Sequence, residues 1–212
     1  MESLLAAIPS PIRIGRTGTH LIDSPQAHAG AFARNRAIAL DNPFEPALLD
    51  LIRRTAREGE WTTDTIHGIG HRQIEATPRA GPAMAFALRR PALYEWLSQV
   101  TGCGPLVDVD GPVGQTRADS GEEIGWHNDL GVPQRRLAII VNLSDAPYEG
   151  GEFELKDVAS GNILIRHRHG GPGSTLIFDV ARALSHRVLP VTSGGPRRVF
   201  AGWFLGPDAV RR

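Results

Sequence analysis

His127 and Asp129 lie two residues apart in the run Trp126-His127-Asn128-Asp129, and His186 follows 59 residues after His127. Together they offer two imidazoles and one carboxylate. That donor set can hold a divalent metal on one face and leave the opposite positions open, as a non-haem Fe(II) needs in order to bind a cosubstrate and O2. The same atoms also suit Zn, Mn or Ni. Residues i and i+2 of a strand point to one face, so His127 and Asp129 can reach a single ion from a strand end. Leu130-Gly131-Val132-Pro133 then reads as a turn, which leaves the pair at an edge where a ligand can enter. His186 sits in a strand-like run, Leu184-Ser185-His186-Arg187-Val188-Leu189-Pro190.

Other histidines dilute the signal. His20, His28, His67 and His71 read as surface or loop residues. His167-Arg168-His169 is the main rival, since two imidazoles at i and i+2 can chelate. It has no carboxylate nearby and leads into a Gly-rich turn, so it reads as a solvated loop.

The elements that must position these groups change character near residue 104. Before it, helical signals dominate. Pro46 opens a segment carrying Leu48, Leu49, Leu51, Ile52 and Ala56 that ends at Gly59, and a second stretch spans about 82–89. A third starts with Pro91 in the first turn and carries Leu93, Trp96, Leu97 and Val100 before Gly102. Residues 61–75 read as extended or loop, with Gly68 and Gly70 giving the freedom of a mobile lid. After Gly104, short strands alternate with Gly and Pro: 106–109, 113–117, 124–127, 136–143, 151–155, 162–166, 175–178, 183–190 and 197–205. So many strands in about 100 residues imply a sandwich, jelly roll or barrel, with the helices covering one sheet. The expected organisation is one domain over 1–212, with a helical support region at 1–103 and a β core at 104–206.

Composition excludes several classes. The chain has 212 residues, 41% hydrophobic and 22% charged, as in an ordinary globular protein. Its 23 basic and 23 acidic residues cancel, so no global charge points to nucleic acid or an anionic membrane. Cys103 is the only cysteine, which rules out an intramolecular disulfide and a cysteine-based zinc site. The N-terminal run Met1-Glu2-Ser3-Leu4-Leu5 lacks the basic start of a signal peptide, and no stretch approaches the roughly 20 apolar residues of a membrane helix. A cytoplasmic location is expected. No heptad or apolar stripe defines an oligomer.

Three further segments complete a pattern: Leu143-Ser144-Asp145 with Tyr148-Glu149-Gly150-Gly151-Glu152-Phe153, Pro172-Gly173-Ser174-Thr175-Leu176-Ile177-Phe178, and Gly194-Gly195-Pro196-Arg197-Arg198-Val199-Phe200-Ala201-Gly202-Trp203-Phe204. Ordered around His127, Asp129 and His186, this ensemble resembles the 2-oxoglutarate/Fe(II)-dependent dioxygenases of the prolyl-4-hydroxylase-like branch, over about residues 104–206. The resemblance implies a mostly β fold with flanking helices (α+β): a double-stranded β-helix, or jelly roll, with N-terminal helices packed on one sheet. It implies Fe(II) held by His127, Asp129 and His186, 2-oxoglutarate and O2 as cosubstrates, and ascorbate as an accessory reductant. The implied reaction hydroxylates an unactivated C–H bond of a small molecule, amino acid or peptidyl residue and releases succinate and CO2.

The family anchors the far carboxylate of 2-oxoglutarate on a basic residue after the distal histidine. Lys156 is the only lysine and lies far from that strand, so an arginine is required. Arg197, 11 residues after His186 and six before Trp203, matches the family spacing better than Arg198. Period-2 alternation does not separate them, because both faces of the strand are apolar. Where relatives carry a tyrosine, this chain has Asn142 after the His-x-Asp strand and Arg117 ten residues before His127. Both are candidate cosubstrate contacts, and Gln115 and Arg117 can face either cosubstrate or substrate. The position two after the anchor is Val199, so the hydroxyl used there in other branches is missing. Two other functions fit a jelly roll: a non-catalytic metal or 2-oxoglutarate sensor, and a cupin-like metal isomerase.

Overall fold

A computed structural model describes residues 4–207; residues 1–3, where the N-terminal reading begins, and 208–212 lie outside the described residues. The N-terminal half runs β1 (Ile12–Ile14), β2 (Thr19–Leu21), α1 (Gln26–Asn35), β3 (Ala37–Leu40), α2 (Pro46–Arg57), β4 (Trp61–Ile66), β5 (Gly70–Glu75), α3 (Ala80–Leu88) and α4 (Pro91–Thr101). Then follow β6 (Asp108–Asp110), β7 (Val113–Thr116), β8 (Glu123–His127), β9 (Arg135–Asn142), β10 (Tyr148–Gly150) and β11 (Phe153–Asp157). The chain ends through β12 (Ile163–His167), β13 (Thr175–Asp179), β14 (Leu184–Val188), β15 (Val191–Gly194) and β16 (Arg197–Leu205).

The helices start where local chemistry dictates. Pro46 and Pro91 occupy the first turns of α2 and α4, where a missing N–H costs nothing. Gly102, at φ 67°, ends α4 in the left-handed conformation. At α3 the buried Glu75 carboxylate accepts from the amides of Ala80 (2.9 Å) and Gly81 (3.0 Å), satisfying donors that the helix itself leaves open.

The large sheet runs β12-β11-β14-β8-β5-β7-β16-β9-β13-β3, with β4 on β5 and β6 on β16. It folds over as a jelly roll, four strands (β12, β11, β14, β8) facing the rest. Alternation sorts its side chains between two cores. On β9, Leu137, Ile139 and Val141 join the core shared with Phe32, Ile52, Met84, Trp96 and Leu97 of the helices. The intervening Ala138 and Ile140 turn to the barrel interior, with Phe153, Leu155, Leu176 and Phe178. The helices therefore pack on the outer face of one sheet, as expected from the sequence.

The N-terminal half is more than helical support. It supplies β3, β4 and β5 to the large sheet, and α1, β1, β2 and β3 were not foreseen. Residues 61–75, read as extended or loop, form the β4–β5 hairpin. β5 joins the two halves of the fold: Gly70 and His71 pair with Ile124 and Glu123 of β8, while Gln73 and Ile74 pair with Gln115 and Gly114 of β7. Gly70 is required for this approach, because a Cβ there would stand 2.1 Å from the Glu123 carbonyl oxygen. No helix among the described residues is long and apolar enough to cross a membrane.

Candidate metal and cosubstrate site

β8 and β14 pair in antiparallel fashion with His127 opposite His186, which brings residues 59 apart in sequence to ring centroids 4.1 Å apart. His186 is 7% exposed, its ring packed against the touching pair Phe153 (5.6 Å) and Phe178 (4.7 Å). Asp129 does not reach the site by strand alternation. β8 ends at His127, and Asp129 sits past it with φ 60°, a left-handed conformation that aspartate tolerates better than most residues. Its carboxylate reaches both rings: Oδ1 is 3.5 Å from His127 Nε2 and Oδ2 is 3.3 Å from His186 Nε2. One ligand atom from each residue falls within 4.8 Å of the others, and no second such group occurs among the described residues.

The protonation states suit a metal. His127 Nδ1 donates to the Gly125 carbonyl at 2.8 Å, so its lone pair is on Nε2, facing the centre. Burial, reinforced by His186, lowers the His127 pKa and keeps that ring neutral. Burial works against the Asp129 carboxylate, but His186, His127 and the neighbouring Trp203 outweigh it and hold its pKa at about 2. Neutral imidazole and ionised carboxylate are the forms that ligate, so little deprotonation opposes metal binding at neutral pH.

From this trio a cavity of about 610 Å3, partly open to solvent, runs inward to Arg197. Core membership separates the two arginines that sequence alternation left unresolved. Val199, Ala201 and Trp203 belong with the barrel interior, whereas Phe200 and Phe204 face the helices. Arg197 lies on the interior face and lines the cavity at 4% exposure, with Nε and Nη2 lacking any hydrogen-bond partner. Arg198 is engaged on the other face by Asp145 (2.9 Å) and Gln115 (3.1 Å), with its guanidinium over Trp61.

Two candidates are not brought to the trio. Arg117 is half exposed and paired with Glu122 at 3.1 Å, outside the cavity lining. Asn142 is buried, but its amide donates to the carbonyls of Gly170 and Gly171 and its oxygen accepts from Ser144. It shapes a loop and does not line the cavity. The hydroxyl that does is Thr116, beside Arg117 but on the opposite face of β7. It pairs with Arg197 across the strands, and its Oγ1 is buried without a partner. Gln115 also borders the cavity, but its side chain turns to the face of Arg198, accepting from it through Oε1 and donating through Nε2 to Gln73 at 2.7 Å. Arg72 of β5 lines it too, and nothing in the sequence set it apart, because the segment carries no clean alternation that would assign its face.

His167 and His169 are not solvated. They are 1% and 7% exposed, with rings 5.0 Å apart, and Nδ1 of His167 donates to the Leu5 carbonyl. Burial, with the nearby Arg197 charge, pushes the His169 pKa well below normal, so it stays a neutral neighbour of the guanidinium. Neither belongs to the group of converging metal donors.

The residues fit the groups the sequence implied: three converging donors for a metal, and a buried cation with unpaired donors for a carboxylate. Residues 114–205 match the family model of the 2OG-Fe(II) oxygenase superfamily. No curated protein is matched by sequence. Among solved structures, the chain is similar to an oxidoreductase of the 2OG-Fe(II) oxygenase family from Burkholderia pseudomallei (TM-score 0.68, 14% identity, 94% of this chain and 99% of that one). It is similar to a Pseudomonas putida prolyl-4-hydroxylase (0.60, 21%, 87% and 100%). A third is a Trichoplax adhaerens prolyl hydroxylase in complex with a hypoxia inducible factor peptide fragment (0.65, 13%, 85% and 88%). Residues 114–205 thus match the 2OG-Fe(II) oxygenase superfamily model, and the fold is one shared with prolyl hydroxylases.

Proposed function

We propose that the chain hydroxylates an unactivated C–H bond of a small molecule, amino acid or peptidyl residue, coupled to conversion of 2-oxoglutarate to succinate and CO2. The observation that carries this reading is Arg197, a buried guanidinium with two unpaired donors that lines the same cavity as the metal trio. A desolvated cation is costly unless an anion joins it, and a dicarboxylate spanning from metal to Arg197 provides one. His127, Asp129 and His186 would hold Fe(II), which with 2-oxoglutarate and O2 supplies the oxidising power. The chain's own part is placement: Arg197 and Thr116 Oγ1 bind the far carboxylate, Phe153 and Phe178 fix the His186 ring, and apolar walls from Ile140, Val188 and Val199 limit water. The whole chain acts as one catalytic unit in this reading, because β3 and β5 of the first half are strands of the same sheet as the trio.

Gly151 offers a local check. It has φ 68°, and a Cβ there would stand 2.6 Å from Arg197 Cδ. Gly151→Ala should displace the guanidinium and weaken 2-oxoglutarate binding about tenfold, besides costing about 1–2 kcal/mol of stability for the left-handed conformation. Calorimetric titration of the metal-loaded variant with 2-oxoglutarate measures the first effect, and a thermal melt the second.

Turnover tests the proposal itself. Fe(II)-loaded protein given 2-oxoglutarate in air should release succinate, even without its preferred substrate, and incorporate labelled oxygen when that substrate is present. Protein that binds both metal and 2-oxoglutarate yet releases no succinate would support the sensor reading instead. A cupin-like isomerase is not favoured, because His167 and His169, the two extra buried imidazoles, surround Arg197 and not the trio.

A further inference from the structure

A second cavity opens on the solvent side of the trio. Its volume, mouth included, is about 760 Å3, within the roughly 300–1,000 Å3 common for small-molecule pockets. Arg72, Ile124, His127, Asp129 and Trp203 line both cavities, so a molecule here sits directly against the metal position. The walls are apolar: Ile66 and Ile69 at the tip of the β4–β5 hairpin, Ile124 of β8, Leu130 of the following turn, and the Trp203 ring.

Two guanidiniums break that apolar lining, those of Arg72 and Arg135. Arg72 donates to Asp64 through Nε at 3.1 Å, and among the described residues its terminal nitrogens form no hydrogen bond. Arg135 lies over Trp203, with its guanidinium carbon 3.5 Å from the ring centroid. Its Nη1 touches the Asp129 carbonyl at 3.3 Å and the carboxylate at 3.7 Å. Asp129 supplies the sole carboxylate of this lining, and it is turned toward the two imidazoles, where a metal would take up its charge. Asp64 offsets the Arg72 charge from outside this lining, so the lining itself carries two guanidiniums against one carboxylate, with His127 and Asn128 as its other polar side chains. The inner cavity already has Arg197 for the far end of 2-oxoglutarate, and Arg135 lines only the outer cavity, with Arg72 lining both, so an anion of another origin suits the outer pair. A guanidinium held flat on an indole keeps its N–H edge fixed, which suits a planar carboxylate better than a freely rotating ammonium would.

We propose that the outer cavity takes a small molecule with an apolar body and a carboxylate, held by Arg72 and Arg135 beside the metal. This substrate class rests on the oxygenase reading of the trio. Pocket size and the paired cations favour a free acid over a peptide segment, whose backbone would bring neutral groups to both arginines.

The test uses full-length, Fe(II)-loaded protein kept anaerobic and saturated with 2-oxoglutarate, so that the inner cavity is filled. Matched probes are titrated by calorimetry: octanoate against octanamide, and phenylacetate against phenylacetamide. At least one acid should bind tenfold or more tightly than its amide. Arg135→Gln and Arg72→Gln should each reduce that preference to less than threefold, and thermal melts of both variants would show whether the fold is kept. Because the readout is a ratio between two probes on one protein, a general loss of stability does not imitate it. Equal binding of acids and amides, binding of neither, or a preference that survives in both variants would overturn the proposal. So would acids that bind only by expelling 2-oxoglutarate, seen as loss of the visible band of the Fe(II) complex. Failure to bind 2-oxoglutarate at the outset would instead contradict the oxygenase reading.

Discussion

His186→Ala should lose Fe(II) binding and turnover together. Anaerobic reconstitution followed by metal analysis should find stoichiometric iron in the native protein and almost none in the variant. Removing an outer-shell partner of a metal ligand typically costs 10–100-fold in affinity, so loss of a ligand itself should exceed about 100-fold. The remaining pair, His127 and Asp129, cannot enclose a face of the ion. The ring also packs against Phe153 and Phe178, so His186→Gln, closer in volume, separates lost ligation from lost packing. If iron stoichiometry survived in both variants, the trio would not be the metal site.

Arg197→Met should produce two effects of opposite sign. Loss of a buried, hydrogen-bonded charge partner costs about 2–5 kcal/mol, so 2-oxoglutarate affinity should fall by roughly 30-fold or more. In the ligand-free protein the guanidinium is buried with Nε and Nη2 unpaired, and burial lowers its pKa. An apolar chain of similar length removes that desolvation cost, so the ligand-free variant should melt higher, by about 2–4 °C for each kcal/mol recovered. Differential scanning calorimetry with and without 2-oxoglutarate reads both. A variant that melted lower yet bound 2-oxoglutarate normally would make Arg197 a structural residue. Arg198→Met, which breaks contacts to Asp145 and Gln115 on the helix side, should destabilise the fold and leave 2-oxoglutarate affinity nearly intact.

Much of this fold was readable where local chemistry decides it. Pro46 and Pro91 mark the starts of α2 and α4, and their apolar faces follow helical spacing. β16 runs over the expected residues, and His127, Asp129 and His186 converge as expected. What stayed hidden depends on which core a face meets. Both faces of β16 are apolar because the barrel interior takes one and the helices the other, so alternation alone could not rank Arg197 above Arg198. A one-residue difference on β7 decides between Thr116 and Arg117, since neighbouring strand residues point to opposite faces.

Backbone conformation hid other features. The strand rule reached the right answer for Asp129 by the wrong geometry: the chain leaves β8 and turns back through a positive φ. The polar, mixed pattern of β4 and β5 carries no clean alternation, because the hairpin is half exposed and pairs with both halves of the sheet. Arg72 was lost with it. His167 and His169 lie in a Gly-rich stretch that suggests solvent, yet the chain folds them under β16, and burial there depends on contacts no local pattern encodes.

The most direct measurement is an anaerobic absorbance titration of the Fe(II)-loaded protein with 2-oxoglutarate. A weak visible band should appear that saturates at one equivalent, requires Fe(II), disappears in His186→Ala and needs far higher 2-oxoglutarate in Arg197→Met. No band in the native protein at saturating 2-oxoglutarate, or a band unchanged by both substitutions, would contradict the oxygenase reading.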